Sequence, residues 1–295
     1  MASSIRISAD NYCCFRPLND NSTRMVFEIT RHCNLNCIHC MAPSKKTDVQ
    51  LTHERIKELM HELRFNNISK IMFTGGEPLL VNNLLEYVAI ASSYGIIVDL
   101  NTNLTLLTNT MARRLKTAGV SEVTTSIDGD RDTHCKIRGD NECYDRTLKA
   151  ISFLRSYNVK VDVVSMIMEA TADKLNDVIE TSKKLGVSSL TFSDLILKGN
   201  AREDQRVRDR QQVINKILIL RNKTSFPIRT VKLVDSGFEM CHKGIDMVSI
   251  DYKGDVHPCL QSKVENPINI QNSSLKNALK HMRENISNTI GGCHI

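Results

Sequence analysis

The sequence predicts an α/β protein: a closed or partly open barrel of six parallel strands wrapped by helices, with a small β-hairpin and helix extension at its C-terminal end. Three observations point there. Apolar residues switch repeatedly between a period near two and a period near 3.6 as far as Asp194, the signature of consecutive β-α units. The helical stretches carry start and stop residues at their ends. After Asp194 the rhythm changes to a charged helix and a turn-linked pair of strands.

In chain order, the strand segments are Met25 to Thr30, Lys70 to Phe73, Ile96 to Asn101, Glu122 to Ser126, Lys160 to Met166 and Ser189 to Asp194. A helix starts at Thr52 as N-cap and places Ile56, Leu59, Met60 and Leu63 on one face. Another holds Met111, Leu115 and Ala118 and stops at Gly119, where a residue without Cβ suits a helix exit. Further helices cover Tyr144 to Tyr157 and Ala172 to Leu185, the second closed by Gly186. In a parallel sheet wrapped this way, chemistry collects at the carboxyl ends of the strands. Farther on, a charged helix over Asp204 to Arg221 leads to a strand near Ile228 to Leu233. Met247 to Asp251 and Asp255 to Cys259 then flank Lys253-Gly254 as a hairpin, and a last helix spans Ser274 to Glu284. The expected division is a lead-in over 1–24, the barrel over 25–200, a connecting helix and strand over 201–235, and the extension over 236–295.

At 295 residues the chain can bury a full core. Its net charge of +6 is spread among interspersed residues, with no long basic run or aromatic platform. Nucleic acid is therefore not the expected partner, and the excess favours anionic partners only through steering. Met1 to Asp10 lacks the apolar stretch of a signal peptide, and no run of about 18 apolar residues occurs, so the expectation is a cytoplasmic protein without a membrane span. In a reducing compartment, ten cysteines point to metal or catalytic sulfur before disulfides.

Cys33, Cys37 and Cys40 follow the first strand in the run Arg31-His32-Cys33-Asn34-Leu35-Asn36-Cys37-Ile38-His39-Cys40. Three thiolates on one loop at a strand's carboxyl end can wrap a small cluster but cannot supply an outer ligand to all four irons of a 4Fe-4S cube, so one iron is left open. The alternative is structural zinc, with His32, His39 or a distant residue as fourth ligand; zinc sites more often use two separated pairs of ligands.

The spacing resembles the CxxxCxxC signature of the radical S-adenosylmethionine (SAM) superfamily, and further landmarks of that superfamily follow in order to about Asp194. Thr74-Gly75-Gly76-Glu77-Pro78, after the second strand, is similar to its GGEP motif. Two glycines permit close backbone approach to a ligand, and Glu77 offers a carboxylate to an ammonium. Asn101-Thr102-Asn103-Leu104 resembles its T-N-G segment, with Leu104 in place of glycine. Ser126-Ile127-Asp128-Gly129 resembles its S-x-D-G segment, and Arg138-Gly139 stands at the spacing of its R-G element. The resemblance implies a 4Fe-4S cluster held by Cys33, Cys37, Cys40 and exchangeable SAM. It further implies that Gly75, Gly76 and Glu77 hold the SAM amino group, Asn103 the ribose, and Ser126 and Arg138 the carboxylate or ribose. A flavodoxin or ferredoxin type protein would donate the electron. The expected fold is then the partial (β/α)6 barrel of this superfamily.

Cys241 and Cys259 bracket a segment in which twelve residues separate Cys241 from Gly254 and four separate Gly254 from Cys259. This resembles the C-x(9-15)-G-x4-C element of SPASM and Twitch domains, and Lys198-Gly199-Asn200-Ala201-Arg202 is similar to a G-R-A segment often upstream of it. The remaining SPASM cysteine pattern is absent, and only Cys293 lies downstream. The implied arrangement is Twitch-like: one auxiliary cluster held by Cys241, Cys259, Cys293 and a fourth ligand that is His294, Cys13, Cys14 or the substrate. The alternative is a set of structural thiols. Cys13, Cys14, Cys135 and Cys143 match no motif; Cys135 or Cys143, on the segment after the fourth strand, is placed to return a hydrogen atom to a substrate radical.

The activity so implied is that of an oxidoreductase or epimerase: reductive cleavage of SAM to a 5'-deoxyadenosyl radical, then hydrogen abstraction from a substrate. The substrate is a ribosomally made peptide or protein, or alternatively a small molecule such as an aminosugar or other natural product. The roughly 24 residues before the first strand are too few for a fused peptide-recognition domain. A non-enzymatic iron-sulfur or zinc protein has no use for Glu77 and the Gly75-Gly76 turn.

Overall fold

A computed structural model describes residues 22–44, 51–231, 246–286 and 289–290. The first β-α units are β1 (Thr23–Thr30), α1 (His53–Glu62), β2 (Ile68–Gly75), α2 (Leu84–Ser93), β3 (Ile97–Asn101) and α3 (Asn109–Ala118). They continue through β4 (Val120–Ser126), α4 (Arg131–Arg138), α5 (Cys143–Ser156), β5 (Lys160–Ile167), α6 (Leu175–Lys184) and β6 (Ser189–Asp194). The remainder comprises α7 (Arg210–Asn222), β7 (Ile228–Val231), β8 (Met247–Ile250), β9 (Val256–His257), β10 (Lys263–Val264), α8 (Leu275–Glu284) and β11 (Thr289–Ile290).

Nine strands form one sheet in the order β7-β6-β5-β4-β3-β2-β1-β8-β9. Every neighbouring pair is parallel except β8 with β9. The six expected strands are all present and lie side by side in sequential order, as in a barrel whose β-α units all advance the same way. The expected hairpin is there too, but β8 pairs with β1 through Arg24 to Phe27 against Met247 to Ile250. The C-terminal extension therefore continues the sheet instead of hanging from it.

Alternation sets the two faces of this sheet. Met25, Phe27 and Ile29 of β1 and Ile71 and Phe73 of β2 join Leu59, Met60, Val88, Leu115, Leu154, Ile179 and Ile217 of the helices in one continuous core. The opposite face carries Arg24, Lys70, Asp99, Glu122 and Asp162, polar groups that interact with one another, and Glu28, which pairs with Arg31. Lys70 bridges Asp99 and lies 3.9 Å from Glu122, and burial beside the Asp162 and Asp99 carboxylates pushes the Glu122 carboxyl up to about 8.

Two helices escape the sequence pattern. α2 is apolar on most sides, so its period is blurred, and α4 spans only 8 residues between its Asp130 cap and Gly139. The C-terminal helix is part of the main core: Leu275, Ala278, Leu279 and Met282 are buried in it. Arg55 of α1 anchors the approach to α8, donating from Nη2 to the Ser273 carbonyl at 3.1 Å and pairing with Glu62 at 2.7 Å.

Candidate active site

β1 delivers the chain at Thr30 into the loop that bears Cys33, Cys37 and Cys40. The turn after β2 lies directly under this loop. Gly76 N–H donates to the Thr30 carbonyl at 2.8 Å and Glu77 N–H to the His32 carbonyl at 2.7 Å. A Cβ on Gly75 would sit 2.2 Å from the Thr30 oxygen, and one on Gly76 2.0 Å from the His32 oxygen. Both positions therefore demand glycine because the cysteine loop passes this close, a cause distinct from the ligand approach expected of them.

The Glu77 side chain is fully buried. Its carboxylate accepts from Thr102 Oγ1 at 2.6 Å, Leu79 N at 2.9 Å and Asn103 N at 2.8 Å. Burial raises its pKa and these three donors oppose the shift. Its oxygens brace the loop after β3. Asn103, held there, donates from Nδ2 to Asn34 Oδ1 at 3.0 Å and approaches Cys33 Sγ at 3.9 Å.

Leu104 explains the missing glycine of the T-N-G segment. It adopts φ 64°, the left-handed region that glycine takes freely, and its side chain is fully buried in the core. Truncating a buried leucine to alanine costs ~2–5 kcal/mol, while an L-residue in this backbone region is strained by ~1–2 kcal/mol. Leu104→Ala loses packing and keeps the strain; Leu104→Gly loses packing and relieves it. Chemical denaturation is expected to rank wild type first, Leu104→Gly next and Leu104→Ala last, the two variants about 1 kcal/mol apart, reversing their usual order within regular secondary structure.

The three cysteines are not disulfide-bonded. Cys37 is buried, and Cys33 and Cys40 are half-buried. Leu35 N–H donates to Cys33 Sγ at 3.4 Å and Arg138 Nη1 to Cys37 Sγ at 3.7 Å. Burial, opposed by the Leu35 and Ala42 amides respectively, pushes the Cys33 and Cys40 thiols above their ordinary range. A bound iron-sulfur group would supply the positive charge that turns such thiols into thiolates. Grouped thiols with N–H donors aimed at sulfur suit that group, and three of them leave one iron without a protein ligand.

The loop is clamped from two other elements. Ile38 N–H donates to the Ile137 carbonyl of α4 at 3.0 Å. Asn200 donates from its backbone to the Cys40 carbonyl at 2.9 Å and from Nδ2 to the Cys37 carbonyl at 3.0 Å, and Gln205 Nε2 donates to the Ile38 carbonyl at 3.1 Å. Gly199, at φ 65°, lies so close that a Cβ would meet the Cys40 oxygen at 2.3 Å. Lys198 Nζ reaches the Gln261 carbonyl at 2.9 Å, and Ser262 N–H donates to Cys259 Sγ at 3.2 Å. The Lys198–Arg202 segment so connects the first cysteine loop with the turn that carries buried Cys259. Cys241, Cys293, His294, Cys13 and Cys14 lie outside the described residues.

Ser126 ends β4 half-buried. Arg138, expected at the SAM carboxylate or ribose, is held by Asp128, with Nε 2.8 Å from Oδ2. Asp128 is fully buried, and within the S-x-D-G segment its signal is a carboxylate ten residues before an arginine at a strand end. Asn34, Thr102, Asn200 and Gln205 give no such signal, because uncharged hydrogen-bonding residues carry no periodic or charge signature.

Cys135 and Cys143 are buried, their sulfurs 3.9 Å apart, packed with Leu35 and Cys37 in a small apolar cluster. Burial, reinforced by the neighbouring Cys135, pushes the Cys143 thiol up to about 12. Asp251 and His257 of the β8–β9 region are buried as well, their Oδ2 and Nε2 3.6 Å apart, with Lys263 Nζ 2.9 Å from Asp251.

A barrel with this cysteine loop at the carboxyl end of its first strand is an architecture seen in enzymes that cleave SAM. Residues 27–185 match the family model described as the Radical SAM superfamily, more than half of the chain, and the chain belongs to that superfamily. Its members use a 4Fe-4S cluster and SAM. The chain is 29% identical over 225 residues to the Fe-coproporphyrin III synthase of Methanosarcina barkeri, covering 74% of this chain and 54% of the relative. It is 30% identical over 189 residues to the sporulation killing factor maturation protein SkfB of Bacillus subtilis, covering 62% and 45% respectively. The chain thus spans about half the length of these curated relatives. In fold it is similar to Streptococcus suis SuiB bound to SAM, with a TM-score of 0.73 at 12% identity over 89% of this chain and 68% of that one. It is likewise similar to anSMEcpe with bound AdoMet, with a TM-score of 0.70 at 18% identity over 90% of this chain and 82% of that one. Among the described residues no helix is long and apolar enough to cross a membrane.

Proposed function

We propose that this enzyme cleaves SAM reductively and uses the resulting 5'-deoxyadenosyl radical to abstract a hydrogen atom from a ribosomally made peptide or protein. The observation that carries the reading is the three-cysteine loop braced from below by the Gly75-Gly76-Glu77 turn. Cys33, Cys37 and Cys40 would hold the cluster, which when bound to SAM supplies the single electron that breaks the sulfonium S–C5' bond. The remaining tasks fall to the chain. Gly75, Gly76 and Glu77 keep the loop seated on β2, and the loop orients Asn103 toward Cys33. Ser126 and Arg138 offer polar groups beside the strand ends for the carboxylate or ribose of SAM. Cys259, with Cys241 and Cys293, would hold an auxiliary cluster, and a flavodoxin or ferredoxin type protein would deliver the electron.

SkfB, by name a peptide maturation protein, supports a peptide substrate. SuiB and anSMEcpe, solved with a precursor peptide and a Cp18Cys peptide, have the same fold. A second reading, a small-molecule substrate, is favoured by the similarity to the Fe-coproporphyrin III synthase, which covers more of the chain. Anaerobic protein with dithionite is expected to convert SAM to 5'-deoxyadenosine and methionine. Added peptides encoded beside the gene should raise 5'-deoxyadenosine formation and change in mass, and iron-coproporphyrin should do neither. Methylated product with S-adenosylhomocysteine, and no 5'-deoxyadenosine, would overturn the radical reading; turnover of the porphyrin alone would select the second.

A further inference from the structure

We propose that the Asp128–Arg138 pair sets the reduction potential of the cluster held by Cys37, Arg138 by directing a guanidinium N–H at the Cys37 sulfur and Asp128 by offsetting the charge of that guanidinium. The inference rests on the cluster assignment above and goes beyond it by giving this pair an electronic task.

The three sulfurs have unequal surroundings. Cys33 receives the Leu35 amide and the Asn103 side-chain amide, both neutral, whereas Cys37 receives a cation, Arg138 Nη1 at 3.7 Å. The guanidinium is also fixed in direction. Its Nε donates to Asp128 Oδ2 at 2.8 Å, and Nη2 donates to the same oxygen. Asp128 cannot swing, since Oδ1 accepts from Met166 N–H of β5 at 2.9 Å and its own N–H donates to His134 Nδ1 at 3.0 Å. The helix cap places the arginine as well: α4 ends at Arg138 because Gly139 turns left-handed at φ 75°. The Ile38–Ile137 backbone bond then ties the residues next to Cys37 and Arg138 together at 3.0 Å.

Charge follows this geometry. Asp128 is fully exposed to none of the solvent and the Arg138 side chain is only 11% exposed, so their fields at Cys37 are weakly screened. Burial alone would raise the Asp128 carboxyl, yet Arg138, His39, His134 and the Met166 amide hold it down at about 2, so it stays ionised. Hydrogen bonds and positive charge at a cluster sulfur stabilise the reduced state, which carries one more negative charge. A buried carboxylate beside that cation opposes it.

The two residues are therefore expected to act with opposite sign. Protein reconstituted with iron and sulfide is titrated with dithionite in the absence of SAM, following the paramagnetic signal that Cys37→Ala lacks. In this couple the cluster gains one electron and no bond forms or breaks. Arg138→Gln is expected to make reduction at least tenfold harder, a midpoint lowered by about 59 mV or more for one electron. Asp128→Asn, which leaves the guanidinium uncompensated, is expected to raise the midpoint. Loss of packing alone does not produce opposite shifts at two contacting residues. Equal midpoints, or shifts of the same sign at wild-type iron content, would overturn the proposal. If either single variant loses its cluster, Arg138→Met takes the place of Arg138→Gln and Asp128→Ser that of Asp128→Asn, with the same expected signs. The double variant Asp128→Asn/Arg138→Gln, which removes both charges, should have a midpoint between those of the two single variants, and a double variant outside that range overturns the proposal. Absence of any cluster in the wild type would overturn the proposed function instead, so the two failures are distinguishable.

Discussion

Cys37→Ala is expected to abolish formation of 5'-deoxyadenosine from SAM and to remove the three-cysteine cluster with it. Cys37 is the most buried of the three cysteines; its carbonyl accepts from Asn200 Nδ2 and its sulfur from Arg138. Alanine keeps the backbone contacts and deletes the sulfur alone, so the loop retains its clamps while one of three iron ligands vanishes. Anaerobic reconstitution followed by iron analysis and chromatography of the SAM products measures both consequences. Wild-type 5'-deoxyadenosine formation by the variant would show that the loop is not the site of cleavage. Because a bound cluster contributes folding free energy, circular dichroism of both proteins must match before the loss is read as chemical.

Cys259→Ala is expected to separate two activities: SAM cleavage persists, and modified substrate falls to background. Cys259 is buried two residues beyond His257 of β9, and the turn that follows it touches Met41, where Gln261 Nε2 lies 3.1 Å from the sulfur, as well as Lys198. It therefore neighbours the first cysteine loop without belonging to it. Its loss should leave Cys33, Cys37 and Cys40 with their partners while removing a ligand of the proposed auxiliary cluster, which would accept an electron from the substrate or orient it. Side-by-side measurement of 5'-deoxyadenosine and modified product in folded protein checks this. Product at the wild-type rate would return Cys259 to a structural thiol; a variant that forms no 5'-deoxyadenosine while keeping the first cluster would overturn the division of labour.

Local rules made much of this molecule legible. The first cysteine loop was visible because iron chemistry needs sulfur at a fixed spacing, and the strands because period-two alternation survives wherever one face meets helices and the other does not. Thr52, Gly119 and Gly186 marked helix ends through capping chemistry that acts within a single turn, and the structure places all three as read. α2 and α4 went unread because one is apolar on most sides and the other too short to show a period.

What the sequence by itself determined is therefore the order of β-α units, the superfamily, and the loop on which its defining cysteines stand. Only the tertiary structure decided the partners. β8 joins β1 across more than 200 residues of chain, a parallel pairing that no local pattern encodes. Thr102 and Asn103 close over the Glu77 carboxylate, and Gly76 is compelled by a carbonyl of another strand's exit. Arg138 points at Cys37 only because Asp128, Met166 and the end of α4 converge on one spot. Such convergence depends on the barrel's curvature and register, and a sequence records which groups are available, whereas distance and burial choose which of them meet.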